Sequence, residues 1–146
     1  MKKILIVDDE TVIVEVLRDL LQESGYQVFV AMDGMQAIMQ AVKYMPDLIL
    51  LDISMPAGGG TAVYNRLKQS PEAQTIPVVF LTAMPPADLA QKLPFAQNVT
   101  VFRKPFKQKE LLDLIQKMLK DSPVSKQSAS SSSRSAPDTK NDLSGR

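Results

Sequence analysis

Cysteine and histidine are both missing from this chain of 146 residues. The first absence excludes disulfides and thiolate metal sites; the second removes the usual imidazole ligands and imidazole bases. Any metal must therefore be held by oxygen. An excess of charge of one sign is also missing: 17 Lys+Arg stand against 16 Asp+Glu, a formal net of +1, which gives no general attraction to nucleic acid or to an anionic membrane. No apolar stretch approaches the ~20 residues that span a bilayer, and Lys2, Lys3 and the short apolar run after them fall short of a signal peptide. A cytoplasmic protein with neither nucleic acid nor membrane as partner is expected. No internal repeat is evident.

What is present is an ordinary globular composition, 45% hydrophobic and 23% charged, in a chain long enough for one domain with a core. From Asp121 onward the composition turns to Ser, Lys, Asp and Pro, including "SASSSSRSAP", with almost nothing apolar to bury, and is expected to be disordered. Without that tail 13 residues of each sign remain, so the folded part is neutral by formal count.

The apolar runs alternate in kind. Ile4 to Val7 reads as a strand, and Val12, Val16, Leu17, Leu20 and Leu21 recur at helical spacing up to Gly25, where a helix C-cap wants positive φ. Tyr26 to Val30 is a second strand; Asp33 can cap a helix carrying Ala37, Ile38, Ala41 and Val42, which must stop near Pro46. Leu48 to Leu51 is apolar on both faces and so belongs at the centre of a parallel sheet. A helix through Val63 and Leu67, a strand in "IPVVFLT", a strand in "VTVFRK" and an amphipathic helix in "KQKELLDLIQKMLK" follow. Pro85 and Pro86 can start a further short helix that Pro94 ends. Five strands alternating with five helices imply an α/β fold, a doubly wound parallel sheet.

In open parallel sheets ligands bind beyond the carboxyl ends of the strands. Asp8 and Asp9 follow the first strand, Asp52 the third, Thr82 the fourth and Lys104 the fifth. Singly, each has a bland explanation as a turn former, a helix cap or a surface lysine. Jointly, the fold brings all of them to one edge. The run Asp8, Asp9, Glu10 at the end of an apolar strand makes the same point, since adjacent carboxylates at a core edge are costly when ionised unless a cation sits among them. "AGGG" at 57–60 lacks the lysine and hydroxyl spacing of a P-loop, and Gly60 is better explained by the turn into the third helix.

These elements carry a resemblance. With "VDDE" at 7–10, "LLDISMP" at 50–56 followed by Gly60, "FLTA" at 80–83 and "KPF" at 104–106, the chain resembles the receiver domain of bacterial two-component response regulators. The resemblance implies a flavodoxin-like strand order 2-1-3-4-5 and a domain over residues 1–121, with 122–146 as the Ser-rich tail. It implies Asp52 as phosphoacceptor, Asp8 and Asp9 as the acidic pair for Mg²⁺ (or Mn²⁺), Thr82 as the hydroxyl that follows the phosphoryl group and Lys104 as its cationic partner. Asp9, Asp52 and the Ser54 carbonyl are then the direct metal ligands, with Asp8 acting through water. A hard Mg²⁺ prefers such oxygen donors, and with Lys104 it balances three carboxylates. The implied partners are a sensor histidine kinase or histidine phosphotransfer protein, an unnamed downstream protein target, and a second copy through the face of the fourth helix, fifth strand and fifth helix (the 4-5-5 face). The implied activity is that of a stand-alone phosphoacceptor that assists its own phosphorylation and dephosphorylation, rather than an enzyme.

Two departures stand out. Receivers usually place Tyr or Phe three residues before the lysine; here that position is Val101, and its neighbour Phe102 points to the other face unless a bulge intervenes. The segment between Thr82 and Lys104 also holds three prolines, in "AMPPADLAQKLPFAQNVTV". Two alternatives remain: a degenerate receiver used as a constitutive interaction module, and a phosphohydrolase of the haloacid dehalogenase type. The second normally carries an Asp-x-Asp pair after its first strand, where this chain has adjacent acids.

Overall fold

A computed structural model describes residues 1–54, 59–85, 87, 88, 91 and 100–120. Five parallel strands form one sheet: β1 (Lys3–Val7), β2 (Gln27–Ala31), β3 (Leu48–Asp52), β4 (Val78–Thr82) and β5 (Thr100–Arg103), in the order β2-β1-β3-β4-β5. Four helices lie among the described residues: α1 (Thr11–Glu23), α2 (Gly34–Tyr44), α3 (Gly59–Gln69) and α4 (Gln108–Lys120). The short helix placed between Pro85 and Pro94 falls largely on residues outside the described ones, as does the Ser-rich tail.

The chain divides into two units, Met1–Leu112 and Asp113–Arg146. The first contains the whole sheet, α1 to α3 and the start of α4. The second begins inside α4, and its described part is the remainder of that helix.

The strands form where unbroken apolar runs allow burial on both faces, and every residue of β3 and β4 is buried. On one face Leu5, Val7, Ile49, Leu51, Val78 and Phe80 pack with Ala37 and Ala41 of α2 and Val63 and Leu67 of α3. Side-chain alternation sends Ile4, Ile6, Leu48, Leu50, Val79 and Leu81 to the other face, and all are buried. Packed against β1 and β2, α1 buries Val14, Leu17 and Leu21, spaced i, i+3, i+7. That stripe corrects the expected one: Val12 is 74% exposed, because Val14, absent from the expected set, turns inward in its place.

The helix boundaries follow the local chemistry. Asp33 accepts a hydrogen bond from the Gln36 N–H at 2.8 Å and caps α2. Beyond α1, Gly25 has φ +94°, the left-handed conformation that glycine adopts without steric cost. At the end of α2, Met45 takes φ +49° before Pro46, which halts the helix as the sequence requires.

Candidate functional site

Register decides which side chains meet at the carboxyl rim. Val7 lies opposite Leu51, Asp52 opposite Leu81 and Thr82 opposite Arg103. Asp8 therefore emerges beside Asp52 on the two central strands, and Lys104 one residue beyond Arg103 on the edge strand. The Lys104 N–H donates to the Thr82 carbonyl at 2.8 Å, which anchors that lysine to the end of β4.

From there the Lys104 ammonium reaches back across the rim. Its Nζ lies 3.0 Å from Glu10 Oε1, 3.1 Å from Asp8 Oδ2 and 3.6 Å from Asp52 Oδ1. Asp8 and Asp52 are 0% and 3% exposed, so two carboxylates sit inside the protein surface rather than on it. Backbone donors hold them in place: the Glu10 N–H to Asp8 Oδ1 at 2.9 Å, and the Ser54 N–H to Asp52 Oδ1 at 3.1 Å. Thr82 is buried and its Oγ1 accepts the Met84 N–H at 2.9 Å.

The electrostatics follow from this crowding. Burial, aided by the neighbouring charge of Asp52, raises the Asp8 pKa, and the Glu10 N–H and Lys104 only partly oppose it. For Lys104, burial pulls the ammonium down, but hydrogen bonds to Glu10 and Asp8 and the charges of Asp8 and Asp52 outweigh it, and its pKa is raised. One ion pair near 4 Å contributes roughly 4 kcal/mol at an effective dielectric of 20 before desolvation is subtracted. A single ammonium among three carboxylates leaves the cluster doubly negative. Carboxylate oxygens of Asp8, Glu10 and Asp52 lie within 4.8 Å of one another. An all-oxygen donor set with that residual charge fits one hard divalent cation and suits neither a soft metal nor an anion.

The structure brings together Asp8, Asp52 and Lys104, with Thr82 at the end of the adjoining strand. Asp9 is not among the three acids whose carboxylate oxygens cluster. It is exposed and lines a groove with Met32, Asp33, Met35, Gly59 and Arg66. Ser54 is exposed and joins the site through its N–H to Asp52. Glu10, to which no role was assigned from sequence, is the acid nearest Lys104. Its signal was present in the unbroken acidic run, but residue order alone does not say which of three consecutive acids reaches the lysine where a strand passes into a helix.

Glycine completes the arrangement from behind. A side chain at Gly60 would run into the Asp52 carbonyl, and the Gly60 N–H donates to the Ile53 carbonyl at 2.8 Å. The first turn of α3 thus rests directly on the backbone that carries Asp52. Its neighbour Gly59 has φ +68° and abuts the Ile53 carbonyl.

β5 continues in register through Phe80 with Val101 and Leu81 with Phe102, without a bulge. Val101 packs against the cluster containing Phe80, with Tyr64 and Met84 also at its margin. Phe102 faces the other way and meets Phe106 edge-on, ring centroids 6.0 Å apart.

Comparison with known proteins matches this geometry. A family model described as "Response regulator receiver domain" matches residues 4–116. The sporulation initiation phosphotransferase F of Bacillus subtilis is 37% identical over 118 residues, covering 81% of this chain and 94% of that protein. Among solved structures, chemotaxis protein CheY4 of Vibrio cholerae is 29% identical with a TM-score of 0.74, over 81% of this chain and 98% of that one. The receiver domain of the sensor histidine kinase PA1611 from Pseudomonas aeruginosa, solved with a magnesium ion coordinated in its active site cleft, is 29% identical with a TM-score of 0.73, over 81% and 97%. Strand order, the rim of acids around one lysine and the family match lead to the same place: this chain belongs to the response regulator receiver domain family.

Proposed function

We propose that the chain is a phosphoryl-accepting signalling switch whose acceptor is Asp52, supplied by a phosphohistidine on a sensor histidine kinase or a histidine phosphotransfer protein. The observation that carries this reading is the Lys104 ammonium 3.6 Å from a nearly buried Asp52 carboxylate and 3.1 Å from Asp8, at the carboxyl rim of a parallel sheet. That is where a transferred phosphoryl group would need positive charge. The chain has no histidine of its own, so the donor imidazole comes from the partner.

In the transfer, an Asp52 oxygen attacks phosphorus in line. The P–O bond forms, the P–N bond to the donor imidazole breaks, and the released imidazole keeps the electron pair and takes up a proton. The product is an acyl phosphate. A carboxylate is a weak nucleophile, so the site acts mainly by positioning and by neutralising charge. Lys104 offers its ammonium to the oxygens of the arriving group, and Thr82, on the adjoining strand end, offers a hydroxyl. Asp8, Asp9, Asp52 and the Ser54 carbonyl, with Glu10 at the margin, are the groups that would hold Mg²⁺ or Mn²⁺. When bound, the ion supplies the positive charge that the doubly negative cluster lacks. The magnesium in the PA1611 receiver supports this assignment.

The same reading places the domain at residues 1–121, with the Ser-rich segment 122–146 as a tail, and the output in protein–protein contact with a downstream target in the cytoplasm. No helix among the described residues is long and apolar enough to cross a membrane. Membership of the receiver family removes the ground for the phosphohydrolase alternative. A constitutive interaction module is the second reading, favoured by Val101 at the position where receivers usually carry an aromatic ring.

Incubation with acetyl phosphate and Mg²⁺, followed by intact-mass spectrometry, tests the proposal. Labelling of the native chain is expected, with loss on chelation and in Asp52→Asn. Undiminished labelling of Asp52→Asn rules out this acceptor, and a native chain that never labels supports the constitutive module.

A further inference from the structure

Of the three carboxylates around Lys104, Glu10 makes the shortest contact to the ammonium, 3.0 Å against 3.1 Å for Asp8 and 3.6 Å for Asp52. The first two are hydrogen bonds, and the third is too long for one. The ammonium therefore leans toward Glu10 and Asp8 and stands off Asp52. Glu10 is also the N-cap residue of α1 and makes no side-chain capping bond, so its carboxylate is not committed to the helix end. Its main chain is held on both sides: the N–H donates to Asp8 Oδ1 at 2.9 Å, and the carbonyl accepts the Val14 N–H at 3.0 Å. Lys104 is held likewise by its N–H on the Thr82 carbonyl. The Glu10–Lys104 bridge thus joins two fixed points, the turn between β1 and α1 and the end of β5, across 94 residues of sequence.

We propose that Glu10 is a positioning residue that restrains Lys104, drawing the ammonium away from Asp52 and offsetting part of its charge until an arriving phosphoryl group takes it over. The proposal rests on the reading of Asp52 as phosphoacceptor. Burial decides which partner gives way. Asp8 is fully buried, and losing Lys104 would leave its carboxylate uncompensated inside the protein, which is costly. The Glu10 side chain is 61% exposed, and water solvates it when the ammonium leaves. Lys104 can therefore keep Asp8 and exchange Glu10 for a phosphoryl oxygen. An exposed pair of this kind is weak enough for an incoming phosphoryl anion to break, yet it competes with that anion for the same donor. Removing the Glu10 charge should consequently speed the transfer, the opposite of what loss of Lys104 does.

Initial rates of labelling by acetyl phosphate, followed by intact mass with Mg²⁺ saturating for each variant, read this restraint in a double-mutant cycle. In every variant an Asp52 oxygen forms the new P–O bond, and acetate departs with the electron pair of the old one. Glu10→Gln is expected to label about threefold to fivefold faster than the native chain. Introduced into Lys104→Met, the same change is expected to alter the rate by less than about 1.5-fold; Lys104→Gln serves as the background if Lys104→Met does not fold. A native or slower rate in Glu10→Gln overturns the proposal, and so does an equal gain in both backgrounds, the mark of a general charge effect. A second readout needs neither metal nor transfer. In the metal-free chain the side-chain ammonium resonance of Lys104, assigned by its loss in the Lys104 variant, is expected to shift in Glu10→Gln, and an unmoved resonance overturns the proposal. Failure of the acceptor reading is distinguishable: the native chain then does not label or Asp52→Asn labels in full, while the resonance still reports on Glu10.

Discussion

The carboxyl rim and the outer face of α2 break the same rule in opposite directions. At the rim, polar groups are buried: Asp8, Asp52 and Thr82 are at most 3% exposed. Along α2, large apolar groups are exposed. Apolar surface left in water is commonplace in folded proteins, whereas a buried carboxylate needs a partner to be tolerated. The two regions therefore differ in what a substitution should disturb. Change at the rim should alter both chemistry and stability, and change along the exposed side of α2 should leave the fold nearly as stable as before.

The largest effect belongs to Lys104. Lys104→Met removes the ammonium shared by three carboxylates and is expected to slow labelling by acetyl phosphate by about 100-fold, measured as initial rates at saturating Mg²⁺. A rate unchanged within a few-fold would mean that the lysine holds the acids together without serving the transfer.

A smaller effect of opposite sign is expected at Asp8. Its pKa is raised in the folded state, so the native protein holds that proton more tightly than the unfolded chain does. The contribution favouring the fold is complete below the ordinary value of 3.8 and disappears as pH rises through the elevated folded value, so at neutral pH ionised Asp8 is a burden. Asp8→Asn is expected to raise stability at neutral pH by about 1 kcal/mol, or about 4 °C in Tm. It should also flatten the decline of stability with rising pH across that interval, as followed by thermal melts without divalent ions. A lower Tm would show that the Lys104 ion pair outweighs the burial of the charge. The smallest effect is expected on α2: Met35→Gln, at a position 69% exposed, should leave stability within about 0.5 kcal/mol, and a larger loss would mean that Met35 belongs to the core.

The sheet was legible because each strand is an apolar run closed by a recognisable break, and parallel alternation sends all the strand ends to one rim. Asp8, Asp9, Asp52, Thr82 and Lys104 could be placed at that rim from the geometry alone, while their roles came from the family resemblance. Glu10 could not, since the turn between β1 and α1 sets the direction of each acid and no periodicity governs a turn. Val12 and Val14 illustrate a related limit. Helical spacing finds a stripe, but the angle at which the helix meets the sheet decides which neighbouring valine lies on it. The exposed methionines of α2 were obscured for a different reason: Ala37, Ile38, Ala41 and Val42 already satisfied the expectation of a core-facing stripe, and Val42 is 38% exposed.

Val101 has a consequence for how a change at the rim could travel. A ring at that position could swing between inward and outward rotamers, whereas a β-branched side chain packed against the Phe80 cluster has little freedom about χ1. What remains is displacement of the backbone itself, and the Lys104 N–H bonded to the Thr82 carbonyl ties the end of β5 to the end of β4. On the proposed reading, a message leaving Thr82 is expected to move a strand rather than turn a side chain.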